Sequence, residues 1–259
     1  MTQSERRMFL IQYLLNENKT YKSIKIPKDE LSQKTLLRGL FNVREPMNTD
    51  EKFLKIQDEY LREEINRKGV TDYKKAKQFE GGIYLWQGDI TTLKCGAIVN
   101  AANSTLLGCF HPNHGCIDNQ IHTFAGIELR LKCAEIMKKH GTPEKTGHVK
   151  ITEAYNLPCD YVIHTVGPII YESVTETDKR LLSSCYRSCL ELADERKIKS
   201  IAFCCISTGV FCFPNELAAR IAVKTVRDYF AETGSKIEVI FNVFKNSDRE
   251  IYEKLLRKC

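Results

Sequence analysis

From Gly82 onward, short apolar runs alternate with longer stretches of helical spacing. Ile83-Tyr84-Leu85-Trp86, Ala97-Ile98-Val99-Asn100, Tyr161 through Val166, residues 200–206 and residues 236–244 read as strands. Residues 117–140 carry Ile117, Ile121, Phe124, Ala125 and Ile136 at helical spacing, with Gly141 as a stop. Residues 178–196 and 248–258 read as further helices, and Pro214 suits the first turn of another. Strands that alternate with helices build a mostly parallel sheet covered on both faces. Such sheets bind ligands beyond the carboxyl ends of their strands. The loops that follow strands are therefore where chemistry is expected.

Residues 1–78 have a different character. Three helices are predicted: one from a cap at Ser4 to about Asn16, one over residues 28–43, and one capped by Thr49 or Asp50 and ending near Gly69. Phe53, Ile56, Tyr60, Leu61 and Ile65 form the apolar stripe of the third. The expected division is a helical extension over 1–78 packed on a main domain over 79–259. Up to Glu80 there are 17 basic and 13 acidic residues, against a net charge of +6 for the whole chain. Basic groups so diluted by acids do not form a nucleic-acid footprint, which needs clustered Lys and Arg. No apolar run approaches a membrane span. Eleven cysteines, several inside apolar runs such as Cys204 and Cys205, read as buried hydrophobes and not as a disulfide framework. A soluble protein of the reducing cytoplasm is expected.

The loop after the second strand holds Cys109, His114 and Cys116 as C-x4-H-x-C, and three of the six histidines fall between His111 and His122. Thiolates and imidazole are ligands zinc prefers, and catalytic zinc sites use three protein ligands plus an open position. Gly108, Pro112 and Gly115 make the run a loop, which lets close-spaced ligands converge. The alternative is a glycine-rich loop with incidental cysteines. Ser207-Thr208-Gly209-Val210-Phe211, between a strand and a helix, offers backbone N–H groups and helix-start potential to an anion such as a phosphate, or is simply a tight turn. Asp89 either accepts from a ligand's amino group or bonds its own turn.

Four segments, G-D-I-T from Gly88, A-I-V-N-A-A-N-S-x-L from Ala97, Y-V-I-H-T-V-G-P from Tyr161 and I-S-T-G-V-F from Ile206, resemble in order the signature segments of macrodomains. The resemblance covers roughly residues 82–258. It implies a three-layer α/β/α sandwich with a mixed, mostly parallel sheet that binds ADP-ribose. Asp89 would then accept from the adenine amino group with the Ile90 N–H beside it, and Asn103 would hold the distal ribose. Cys116, Ile117 and Asp118 would line the ribose end, Ser207, Thr208, Gly209, Val210 and Phe211 would wrap the diphosphate, and Phe244 would stack on adenine. Where the common MacroD-like hydrolase pattern has a glycine run, this chain has C-F-H-P-N-H-G-C followed by I-D-N-Q-I-H, with Asp118 at the usual aspartate's place. That departure resembles the zinc-dependent macrodomain branch of bacteria and fungi, whose members also carry a helical extension and remove mono-ADP-ribose from protein side chains. Some are encoded beside a sirtuin-type ADP-ribosyltransferase and a lipoyl carrier protein.

The expectation is a protein mono-ADP-ribosyl hydrolase with one Zn²⁺ held by Cys109, His114 and Cys116. Asn103 and Asp118 would be its catalytic residues, and a mono-ADP-ribosylated protein, with a lipoyl carrier as one candidate, its substrate. His111 and His122 are spare ligand candidates. The alternative is a non-catalytic ADP-ribose reader with a structural zinc, closed by a fourth ligand from His111, Cys204, Cys205 or Cys212.

Overall fold

Three capped helices come first in the computed structural model, which describes residues 1–257: α1 (Gln3–Glu17), α2 (Glu30–Val43) and α3 (Glu51–Lys68). Thr2, Asp29 and Asp50 cap them, each side chain accepting a backbone N–H three residues on. Thr2 takes the role expected of Ser4 because it closes a reciprocal capping box with Glu5. Leu10, Ile11, Leu37, Phe41, Phe53 and Leu61 meet in a small core, and Ile127 joins it from the other side of the chain. Full burial of a side chain such as Phe53 stabilises by about 1.5–3 kcal/mol.

The main sheet has seven strands: β1 (Lys77–Gln78), β2 (Ile83–Gln87), β3 (Ala97–Ala102), β4 (Val149–Glu153), β5 (Tyr161–Val166), β6 (Ser200–Phe203) and β7 (Glu238–Val243). Their spatial order is β1-β2-β7-β6-β3-β5-β4. The five inner strands pair in parallel, with Asn100 of β3 beside His164 of β5, and the two edge pairs are antiparallel. Ile98, Val99, Val162, Ile163 and Ile201 are all fully buried, as expected of parallel strands covered on both faces. The covering helices are α4 (Ile117–Ala125), α5 (Ile127–His140), α6 (Glu176–Glu195), α7 (Asn215–Thr233) and α8 (Asn246–Leu256). A short parallel ladder joins residues 71–72 to 93–94.

Several details depart from the sequence reading. The single helix expected over 117–140 is two, broken at Gly126, whose φ of 102° no helix accommodates. Strands β1 and β4 were not foreseen; each pairs only along one side, at an edge of the sheet. The strand expected over 200–206 ends at Phe203, and Pro214 precedes its helix instead of entering the first turn. The last helix ends at Leu256, and Lys258 lies outside the described residues. No helix among the described residues is long and apolar enough to cross a membrane.

The three N-terminal helices are joined to the rest of the chain by polar contacts as well as by Ile127. Arg130 of α5 is buried and donates through Nη1 to the Phe41 carbonyl at the end of α2 (3.2 Å), where a cation also suits the helix dipole. Gln57 accepts from the Ile127 N–H at the start of α5 (2.9 Å), and Asn156 donates to Asp58 (2.8 Å).

Candidate active site

The carboxyl ends of the parallel strands lead into the segments that begin at Gly88, Asn103, Gly167, Cys204 and Phe244. The longest of these connections, after β3, carries the cysteines and histidines. Cys109, His114 and Cys116 are half-buried, and their ligand atoms all lie within 4.8 Å of one another. Cys109 Sγ is 3.6 Å from His114 Nδ1. A sulfur and a nitrogen bound to one tetrahedral zinc, at about 2.3 and 2.0 Å, stand about 3.5 Å apart. The three donors therefore fit zinc in both type and spacing. Among the described residues, His111, Cys204, Cys205 and Cys212 are not part of this group.

The loop reaches this shape by specific local means. Gly108 has φ 78°, and a Cβ there would lie 2.8 Å from the His122 ring, so the backbone passes where only glycine fits. Cys116 is the N-cap of α4, and its sulfur accepts from the Asn119 N–H at 3.4 Å. Burial pushes the Cys116 thiol up to about 12, with that N–H opposing. Ionising it needs a nearby positive charge. Asn119 is fully buried and binds the loop from beneath, donating to the carbonyls of His111 (3.0 Å) and Cys109 (3.3 Å).

Asn103 and Asp118 come together beside the loop. Asn103 Nδ2 donates to the Gly108 carbonyl at 3.0 Å and lies 3.4 Å from Asp118 Oδ2. Asn100 Nδ2 donates to Asp118 Oδ1 at 2.8 Å. Burial raises Asp118 to about 6, while the Asn100 hydrogen bond and the charge of Arg130 act against that rise. The Asp118 carboxyl is thus clamped by two amides at the first turn of α4.

Asp89 serves its own turn and more. Oδ1 accepts from the Thr91 N–H (3.0 Å) and hydroxyl (2.6 Å), which accounts for the local capping role. Oδ2 accepts from Lys68 Nζ at 2.8 Å, and that ammonium sits 3.3 Å from the centroid of the Phe124 ring. Burial acts against the Asp89 charge, but Lys68 and Thr91 outweigh it and hold the carboxyl below its usual range. Burial pushes Lys68 down, and the Asp89 contact offsets that only in part.

In the 207–211 loop, Ser207 takes the left-handed conformation (φ 64°), and its carbonyl accepts from the Phe213 N–H at 3.0 Å. The Ser207 hydroxyl is buried without a partner. The N–H groups of Gly209, Val210 and Phe211 donate to no protein acceptor among the described residues. Phe244, just past β7, is 75% exposed.

A second group, His122, Cys133 and His164, is fully buried, with ligand atoms likewise within 4.8 Å. His164 Nδ1 faces Asn100 (3.2 Å) and Nε2 faces Thr152 (3.0 Å), so both ring nitrogens have protein partners. Burial lowers His164 to about 4, holds His122 well below its usual value and raises Cys133 to about 12, which leaves all three neutral. Sequence reasoning missed Asn100, Asn119, Arg38 and Lys68. Asn100 alone had a readable signal, as an amide inside an apolar strand needs a buried partner.

Residues 99–222 match the Macro domain family. A protein from Treponema medium named protein-ADP-ribose hydrolase is 56% identical, over 99% of this chain and 100% of its own length. Another of that name, from Staphylococcus aureus strain MRSA252, is 48% identical over 96% and 95%. Among solved structures, a Trypanosoma brucei macrodomain in complex with ADP-ribose is 31% identical, with a TM-score of 0.64 over 80% of this chain and 91% of that one.

Proposed function

The chain belongs to the macrodomain family, and we propose that it is a zinc-dependent hydrolase of the MacroD-like kind that releases mono-ADP-ribose from modified protein side chains. The observation that carries this reading is the zinc-type donor set of Cys109, His114 and Cys116 beside the Asn103–Asp118 pair. We divide the chain into a helical extension, residues 1–78, and a macrodomain, residues 79–259, working in a reducing cytoplasm that keeps thiolate ligands available.

In this reading the adenine amino group donates to Asp89, which keeps unused acceptor capacity on the oxygen that meets Lys68, and the Ile90 N–H lies beside it. The N–H groups of Gly209, Val210 and Phe211, with Thr208 and the Ser207 hydroxyl, receive the diphosphate. Phe244 lies flat against adenine. Cys116 and Ile117 bound the distal ribose, Asn103 orients it, and Asp118 accepts from a ribose hydroxyl or aligns the attacking water. When bound, zinc supplies Lewis acidity that brings the pKa of a coordinated water to about 7. Asn100 holds Asp118 in place through the first turn of α4.

The test is hydrolysis of defined mono-ADP-ribosylated proteins, a lipoyl carrier protein among them, with and without a chelator. Release of ADP-ribose that stops on zinc removal and returns with zinc is expected. Release that continues in protein shown by metal analysis to be zinc-free would overturn the zinc role. A reader with a structural zinc would instead show no turnover and weaker ADP-ribose binding once the metal is removed.

A further inference from the structure

We propose that Arg38, in the second helix of the N-terminal extension, is a positioning residue of the active site that fixes the zinc-ligand loop from outside the macrodomain. This rests on the zinc reading above. Arg38 Nη2 donates to the carbonyl of His114, a ligand residue, at 2.6 Å, and to Asn119 Oδ1 at 2.8 Å. Asn119 is the same buried amide that donates to the carbonyls of His111 and Cys109 and whose N–H reaches the Cys116 sulfur. One guanidinium thus grips the loop directly at His114 and, through Asn119, at both cysteines.

The rest of α2 supports this grip. One turn further along, Asn42 accepts from the Asn113 N–H (2.9 Å) and donates to Thr123 of α4 (2.9 Å). Asn113 is in the left-handed conformation, φ 58°, and is thereby held in it. Between Arg38 and Asn42 lies Gly39, where the loop comes so near that a Cβ would be 3.2 Å from the Asn113 amide. The face of α2 that carries Arg38, Gly39 and Asn42 is therefore shaped to the loop. The guanidinium is part-buried and its Nε has no partner.

The experiment compares Arg38→Ala with Arg7→Ala in the full chain. Arg7 is also a buried arginine of the extension, but its partners are Gln33, Glu30 and Ser4, all within the extension. Amide hydrogen exchange of residues 110–116 is measured in metal-free protein, so this readout depends on neither zinc nor ADP-ribose. A charged hydrogen bond of this kind is worth on the order of tenfold or more in an equilibrium. Arg38→Ala is expected to speed exchange in the loop by about that factor, while Arg7→Ala lowers the melting temperature and leaves loop exchange at the parent rate. Zinc loss to a chelator, followed in loaded protein, is expected to accelerate in Arg38→Ala alone. Unchanged loop exchange in Arg38→Ala, or an equal rise in both variants, would overturn the inference. A parent protein that takes up no zinc would sink the zinc reading by itself, and the exchange rates would still decide the role of Arg38.

Discussion

Two cysteine and histidine groups lie along α4, one at its start and the other deeper in the fold. Cys109, His114 and Cys116 stand on a loop, half-buried; His122, Cys133 and His164 come from α4, α5 and β5 and are buried. Ligand type and spacing scarcely separate them. Their surroundings do. In the deep group Asn100 and Thr152 engage both nitrogens of His164, and burial keeps every member neutral. In the outer group the backbone is tied down by Asn119 and Arg38, while the donor atoms face one another. Each group has an exception, since both His122 ring nitrogens are buried without a partner and the Cys116 sulfur accepts from the Asn119 N–H, so burial is what separates the two.

The sharpest way to break this comparison is to remove the outer donors. Cys116→Ala, or stripping the metal, should abolish turnover while ADP-ribose still binds measurably, because the proposed adenine and diphosphate contacts come from Asp89 and the 207–211 loop. Loss of an interaction made only as charge develops falls on kcat. Zinc content and kcat measured together on one sample decide it; full turnover in zinc-free protein would erase the distinction between the groups.

Acid should reveal the deep group next. The folded value of His164, about 4, lies below the ordinary 6.5, so between those values the unfolded chain binds more protons and stability falls as pH falls. The loss from His164 alone is on the order of 3 kcal/mol on going from above pH 6.5 to about pH 4, with His122 adding in the same direction. Urea melts of the parent and of His164→Asn across that range check it, the variant losing less stability than the parent as pH falls. Asp118, whose carboxyl is raised to about 6, shifts stability the other way over part of that range, so the difference between the two profiles is what counts, and identical profiles would mean that the His164 ring is not held neutral.

Away from both groups, Asp89→Ala should weaken ADP-ribose binding by roughly tenfold to a hundredfold, the worth of a hydrogen bond to a charged acceptor. Calorimetry showing parent affinity would remove Asp89 from the adenine end. The smallest expected effect is the most direct contrast: Cys133→Ala should lower stability by about 1–2 kcal/mol and leave zinc content at the parent level. Zinc lost from that variant would make the deep group the metal site.

Those residues whose roles are set by neighbours in sequence were legible without the structure. The C-x4-H-x-C loop and the turn at Asp89 are local patterns, whereas Asn103 and Asp118 were marked by the resemblance to macrodomains, and the structure sets their side chains 3.4 Å apart. The three extension helices were legible as well, since Phe53, Ile56, Tyr60 and Leu61 mark a buried stripe and Asp50 a cap. What escaped notice depends on distant partners. Arg38 and Lys68 look like any solvated charge on an amphipathic helix until the fold brings them to Asn119 and Asp89. Gly126 inside an apolar pattern of helical spacing carries no mark that the chain turns there, where Gln57 of the extension packs against it.

Gly39 bears on attempts to make this protein hardier. A glycine inside a helix is an obvious target for thermostabilisation, since alanine there ordinarily gains about 1 kcal/mol. Here the added methyl would press on the Asn113 amide, 3.2 Å from it, and through that residue on the span between Cys109 and His114. The exchange sets helix propensity against the seating of the 109–116 loop, and the give of the Asn113 amide decides which of the two wins. Resistance to heat and the fit of the 109–116 loop are therefore coupled at a single hydrogen atom on α2.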